Sequence, residues 1–266
     1  MRLDILGCRA STPVPGPEFV RYGGDTSCVA VSLNDAPPSL ILDAGTGLRH
    51  VGTLLGEGEA FRGTILLSHL HWDHTHGIPF SPPVDSRDSV VRLLMPEQDD
   101  DPSVVLARAM SPPHFPIGPD QLNGEWEIDF ITEATHEIEG FEVTAAEISH
   151  KGGKTLGYRI SDGSGSLAYL PDHSVGDDGA IDLAKGVDLL IHDAQYTSEE
   201  QMQNASFGHC SIEEAIDLAK KAEVGRLLLF HHDFNRTDDE IDAMLTTLRV
   251  TSFPVAGAAH GQTWHV

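Results

Sequence analysis

The run Thr64-Ile65-Leu66-Leu67-Ser68-His69-Leu70-His71-Trp72-Asp73-His74 joins a short apolar β-like segment to four side chains able to bind a metal. In a helix, positions two apart lie on different faces, whereas a strand end or a tight turn lets His69 and His71 converge. Neutral imidazoles with a carboxylate suit Zn²⁺ or another borderline first-row ion, and a catalytic site takes three or four such ligands. Gly77 follows the cluster closely, and its placement after a β-like run marks it as a built site rather than a chance grouping of the 15 histidines.

Working outward, other histidines and aspartates recur at the ends of β-like runs. His150 follows Phe141–Ile148, Asp172 follows Leu167–Leu170, Asp193 follows Leu189–Ile191, and His231 follows Leu227–Phe230. Strand ends opening on one sheet edge are where a rigid scaffold delivers ligands to a common point. Further β-like runs lie at Leu3–Leu6, Cys28–Leu33, Leu40–Leu42, Val90–Leu94, Ile128–Ile131 and Leu156–Ile160. Helical patterns are fewer. Ser211-Ile212-Glu213-Glu214 reads as a capping box ahead of Ala215, Ile216, Leu218, Ala219 and Ala222 at helical spacing. Asp238–Leu248 reads similarly, with weaker patterns over Gly45–Leu55 and Ser103–Met110. The mixture predicts an α/β class built of sheet and helix layers, with residues 1–266 as one domain.

Composition narrows the function. The formal charge is −24, from 41 acidic and 17 basic residues, so the chain repels polyanions and tRNA or DNA is not expected as a partner. Three widely spaced cysteines, Cys8, Cys28 and Cys210, form neither a disulfide framework nor a CxxC zinc motif, which points to a reduced, cytoplasmic setting. The N-terminus alternates like a strand and does not read as a signal peptide, and no run approaches a membrane span. The stiff segment Ser111-Pro112-Pro113-His114-Phe115-Pro116-Ile117 could form a wall over a pocket or a Pro-rich surface turn.

Together these residues resemble the metallo-β-lactamase-fold superfamily, and within it the branch holding ribonuclease Z and small-molecule phosphodiesterases. The matching elements cover nearly the whole chain: Leu42-Asp43-Ala44-Gly45-Thr46-Gly47, the His69–His74 run, His150 leading into Leu156-Gly157-Tyr158-Arg159, Tyr169-Leu170-Pro171-Asp172, His192-Asp193-Ala194-Gln195-Tyr196, Gly208-His209-Cys210-Ser211, and Leu229-Phe230-His231-His232-Asp233. The resemblance implies a four-layer αββα sandwich with a dinuclear site at one edge of its sheets. It implies that His69, His71 and His150 hold one ion, that Asp73, His74 and His231 hold the other, and that Asp172 bridges them. Two Zn²⁺ are the implied cofactors, with Mn²⁺ or Fe as other loadings, and a bridging hydroxide is the implied nucleophile. His232 is a rival to His231, which directly ends its apolar run. Flavodiiron relatives of this fold carry Glu where His71 stands, so the ligand types favour hydrolysis over redox chemistry.

The metals alone do not choose between a phosphodiester, a lactone and a thioester. In the branch resembled, the histidine matching His209 serves as proton donor to the leaving group, and His209 and Asp73 are the expected catalytic residues. Asp193 is expected to orient a ligand or His209. Asp43 resembles an aspartate that supports the His69 loop, and Gly45-Thr46-Gly47 reads as a helix-start turn rather than a phosphate cradle. Ribonuclease Z-like proteins carry a long Gly/Pro-rich arm between the elements matching His150 and Asp172, but only 22 positions separate those residues here. A small or cyclic phosphodiester is therefore the expected substrate. A lactone or thioester hydrolase is the alternative within the enzyme class, and a non-catalytic metal-dependent sensor is the alternative outside it. Resemblance to dimeric relatives adds a homodimer as an expectation.

Overall fold

The computed structural model describes residues 1–174, 178–248 and 252–266. Its strands are, in chain order, β1 (Arg2–Gly7), β2 (Cys28–Ser32), β3 (Leu40–Leu42), β4 (Arg62–Leu66), β5 (Val90–Pro96), β6 (Glu125–Ile131) and β7 (Thr135–Ile138). They continue as β8 (Phe141–Ile148), β9 (Thr155–Ser161), β10 (Ser166–Leu170), β11 (Leu189–Asp193), β12 (Leu227–Phe230), β13 (Val255–Gly257) and β14 (Thr263–His265). The helices are α1 (Trp72–Thr75), α2 (Pro102–Ala107), α3 (Asp178–Ala184), α4 (Ser198–Asn204), α5 (Ile212–Lys221) and α6 (Asp238–Thr247).

Two seven-stranded sheets result, ordered β14-β1-β2-β3-β4-β5-β6 and β13-β12-β11-β10-β9-β8-β7. Each begins antiparallel and continues parallel: β1, β2 and β3 pair antiparallel before β4, β5 and β6 join in parallel. In the second sheet β7 to β10 are antiparallel, and β11, β12 and β13 follow in parallel.

The two faces of a strand explain the layering, because the central strands β2, β3, β11 and β12 are buried along their whole length. Leu40 and Leu42 enter the core between the sheets, where they join Leu3, Ile5, Tyr158, Tyr169, Leu228 and Phe230. Ile41, between them, faces the opposite way into a second cluster with Leu48, Val51, Val105 and Leu106. On the far side, Leu190, Leu227 and Leu229 pack under Ala180, Leu183, Ile212, Ala215 and Ile216 of α3 and α5. The product is helix–sheet–sheet–helix, the four-layer αββα sandwich. Among the described residues no helix is long and apolar enough to cross a membrane.

The capping box that predicts α5 is present, with Ser211 Oγ accepting from Glu214 N. The Gly45–Leu55 pattern becomes a 3₁₀ helix over Thr46–Thr53, whose start is tied down by reciprocal hydrogen bonds between Thr26 and Thr46. Helix α4 escapes an apolar-period reading because none of its residues is buried; its Thr197–Glu200 capping box was the available signal. Short β13 and β14 carry too few residues for their alternation to be read.

Because β8, β10, β11 and β12 run in one direction, their C-terminal ends open on the same edge of the second sheet. The loop after β4 delivers the His69–His74 run to the same place.

Candidate metal centre

The chain leaves β4 at Leu66, and His69 and His71 sit in the extended segment before α1, which carries Asp73 and His74. Two groups of ligand atoms converge there: His69, His71, His150 and Asp172 form one, and Asp73, His74, Asp172 and His231 form the other, each group within 4.8 Å. The residues that the family resemblance assigns to two ions are thus brought together, with Asp172 common to both groups.

The carboxylate of Asp172 is divided between them. Its Oδ2 lies 3.7 Å from His69 Nε2 and 3.6 Å from His150 Nε2. Its Oδ1 lies 3.1 Å from His74 Nε2 and 3.3 Å from His231 Nε2. Asp73 Oδ2 stands 3.1 Å from His231 Nε2 and accepts a hydrogen bond from Ser11 N at 2.7 Å.

The buried atoms fit cations. Among the described residues, His69 Nε2, His74 Nε2 and Asp172 Oδ1 have no hydrogen-bond partner, although each is buried and faces other ligand atoms. Leaving such atoms unpaired costs about 1–3 kcal/mol apiece, and a shared ion satisfies them together. Burial drives the pKa values of His69, His71 and His150 below the ordinary histidine value, leaving the neutral imidazoles a metal takes. At His74 burial acts the same way but is outweighed by Asp172, Asp73 and Asp43, so its pKa rises. That excess of carboxylate around one ring is an electrostatic demand for positive charge.

Residues behind the ligands fix their orientation. Asp43, in the left-handed region at φ 58°, accepts from Ser68 N (2.7 Å), Ser68 Oγ (2.8 Å) and Tyr169 OH (2.9 Å). Its Oδ2 also takes the His74 Nδ1 proton at 2.7 Å, leaving Nε2 as the donor atom toward the centre. Asp43 therefore supports the His69 loop as the sequence suggests, and it also orients a ligand ring. His150 Nδ1 donates to Gly208 O at 2.7 Å. Gly208 is at φ 85°, and a Cβ there would meet Lys151 N at 2.9 Å, so the position requires glycine. Ser11, distant in sequence and without a motif, could not have been found by pattern reading, and Tyr169, although it stands in the Tyr169–Asp172 element, carried no signal of its bond to Asp43.

His231 adopts φ 59°, a conformation unfavourable for a non-glycine residue, and this turns its ring into the centre. His232 points elsewhere: it is hydrogen-bonded to Ala258 O at 2.9 Å and packed edge-on against Tyr22. The rivalry between them is thus decided in favour of His231 by geometry.

His209 lies beside the centre, stacked on His231 at 5.0 Å between ring centroids. Its Nδ1 is 2.8 Å from Asp193 Oδ2. Burial alone lowers the ring's pKa, but Asp193, with Asp172 and Asp73 behind it, outweighs burial and pushes the value up to about 9. Asp193 is itself held by backbone N–H groups of His173 (3.1 Å) and Gln195 (3.0 Å).

Two adjoining cavities meet at the centre. One of about 340 Å³ is lined by His71, Trp72, Asp73, Asp172, His209 and His231. The other, about 630 Å³, shares Ser11, His71 and His209 with it and extends past Lys151, Tyr196, Phe207 and Phe234. The Pro-rich segment does form a wall, but of a separate apolar cavity of about 260 Å³, where His114 and Phe115 face Ile78 and Phe80. No candidate ligand lines that cavity.

Comparison with known proteins gives an independent view of this arrangement. Residues 40–232 match the family described as "Beta-lactamase superfamily domain". The ribonuclease BN of Citrobacter koseri is 27% identical to this chain, with 98% of each covered. An uncharacterised protein of Mycobacterium tuberculosis is 30% identical over 87% of this chain and 80% of its own. Among solved structures, the metallo-β-lactamase fold protein YhfI from Bacillus subtilis superposes with a TM-score of 0.76 at 22% identity, covering 99% of both chains.

Proposed function

The chain belongs to the metallo-β-lactamase superfamily of metal-dependent hydrolases, and on that premise we propose that it cleaves a small, base-bearing phosphodiester such as a cyclic nucleotide. The observation that carries this reading is the His209–Asp193 pair beside the ligand cluster. Departure of an alkoxide, whether from phosphorus or from a lactone's tetrahedral intermediate, depends on a proton donor, and the aromatic-lined cavity that holds Lys151 favours the phosphodiester of the two. A histidine whose pKa is raised to about 9 carries that proton at neutral pH.

The roles of the residues follow from their placement. His69, His71 and His150 would hold one ion, Asp73, His74 and His231 the other, and Asp172 would lie between them. Bound Zn²⁺ would supply Lewis acidity and lower the pKa of water. Asp43 holds His74 in the ligating tautomer, and Ser11 N fixes Asp73. Asp193 accepts from His209 Nδ1, which leaves Nε2 to donate to the leaving oxygen.

The larger cavity supports the substrate class. Lys151, whose Nζ sits 5.5 Å from the Phe207 ring centre, is the one lysine or arginine lining it among the described residues, which suits one phosphate rather than a polymer backbone. Phe207, Tyr196 and Phe234 offer faces on which a base could stack. The ribonuclease BN alignment spans 333 positions against 266 residues here, so that relative carries stretches for which this chain has no counterpart. With the −24 charge, this favours a compact substrate over tRNA.

The test is a panel of cyclic nucleotides, bis-(p-nitrophenyl) phosphate, lactones and a precursor tRNA, assayed after Zn²⁺ or Mn²⁺ loading with metal analysis. Turnover of the cyclic nucleotides is expected. Turnover of lactones alone, or of tRNA alone, would overturn the reading.

A further inference from the structure

Behind the His209–Asp193 pair lies a second buried cluster that the hydrolytic reading does not use. His173 follows Asp172, His192 sits in β11, and Cys210 precedes the cap of α5. All three are buried, with ligand atoms within 4.8 Å of one another. His173 Nδ1 is 3.2 Å from His192 Nε2 and 3.6 Å from Cys210 Sγ.

We propose that His173, His192 and Cys210 form a third metal site, separate from the two-ion centre and selective for Zn²⁺ over hard cations such as Mg²⁺ and Mn²⁺. The inference stands on this geometry and does not depend on the proposed reaction. Zn–N bonds of about 2.0–2.1 Å and a Zn–S bond of about 2.3 Å, disposed tetrahedrally, separate two nitrogens by about 3.4 Å and a nitrogen from sulfur by about 3.6 Å. The observed spacings match that figure.

Proton positions point the same way. His192 Nδ1 lies 2.6 Å from Asp193 O, so it carries the proton and leaves the Nε2 lone pair facing the cluster. A cation between the three would receive the lone pair of His192 Nε2 and, with their protons displaced to solvent, those of His173 Nδ1 and Cys210 Sγ. Zn²⁺ with one thiolate and two neutral rings leaves a single positive charge, and the backbone N–H of His173 is held by the nearby Asp193 carboxylate. A thiolate with two imidazoles is a borderline-to-soft set, unlike the nitrogen and oxygen donors of the main centre. An ion here would lock the backbone that aims Asp193 at His209.

The full-length protein is loaded with Co²⁺, freed of unbound ion, and examined for metal content and for thiolate-to-cobalt absorption in the near ultraviolet. We expect three ions per chain and a clear thiolate band. Cys210→Ser should lose the band and one ion. His192→Asn keeps every thiol and should do the same, so the assignment stays testable even if the serine variant misfolds. The double variant His69→Ala/His74→Ala should lose ions from the main centre and keep the band, which separates failure of the hydrolytic reading from failure of this one. Absence of the band in the unmodified protein, or a band and ion count untouched by both Cys210→Ser and His192→Asn, would overturn the proposal.

Discussion

Replacing Asp193 with Asn tests the proton-donor step while leaving in place every residue assigned above as a metal ligand. In the native site Oδ2 sits 2.8 Å from His209 Nδ1 and also accepts from His173 N, while Oδ1 accepts from Gln195 N. An amide keeps the shape but removes the charge, and whichever way it turns, its NH₂ group meets a donor. The His209 pKa should then fall from about 9 toward or below the ordinary 6.5. General acid catalysis by a positioned side chain contributes about 10²–10⁴-fold, or about 3–5 kcal/mol of barrier. A cyclic nucleotide, whose leaving oxygen is an alkoxide, should therefore lose rate by that factor at pH 8. Bis-(p-nitrophenyl) phosphate, with a nitrophenolate that departs unaided, should lose less than tenfold. The sign of the pH effect is fixed: the native acid is active while protonated, so its rate falls as pH rises through about 9, and in the variant this alkaline limb should move to lower pH. Steady-state rates from pH 5.5 to 10, with metal content verified, provide the measurement. Equal losses for both leaving groups with an unmoved alkaline limb would refute the proton-donor assignment.

Three further outcomes follow from the same coordinates. Asp73→Ala and His74→Ala should each cut turnover more than 10³-fold, roughly 4 kcal/mol of barrier, while circular dichroism shows the fold retained; full activity in either would remove that residue from the centre. Arg9 is fully buried, paired with Asp238 at 3.2 Å and hydrogen-bonded to Gly23 O and Arg236 O, so Arg9→Leu should destabilise by about 3 kcal/mol in urea melts by removing the cation beside a buried carboxylate that keeps the N–H groups of Arg21 and Tyr22. His232 is buried and neutral, its pKa pushed down to about 3 mainly by burial. The unfolded chain therefore binds the extra proton first, and stability present above about pH 6.5 is lost as pH falls toward 3, by about 2 kcal/mol at pH 5; His232→Gln should flatten that slope in urea titrations.

Much of the centre was legible because its ligands sit at strand ends, where a local pattern of apolar run followed by His or Asp survives in the sequence. His150, Asp172 and His231 each follow such a run, and the structure brings them together with the His69–His74 segment. The capping box at Ser211 likewise announced α5, since the signal lies within four residues. What escaped was long-range or featureless: Ser11 reaching Asp73, Tyr169 reaching Asp43, and a helix at Ser198–Asn204 that buries no residue. The Pro-rich segment read equally as a pocket wall or a surface turn, and packing of Phe115 against Phe80 decided for the wall and for its cavity.

By itself, then, the sequence determined the fold class, through short apolar runs interspersed with helical patterns, and the donor chemistry, through imidazoles and carboxylates gathered at strand ends. Only the tertiary structure decided how Asp172 divides its two oxygens between ligand sets, that His231 rather than His232 turns inward, and that His173, His192 and Cys210 share a second buried cluster. The physical reason is that identity and spacing along a chain fix what a side chain can bind. Where its donor atom points depends on backbone torsions such as the positive φ of Asp43 and His231, and on neighbours supplied by strands distant in sequence.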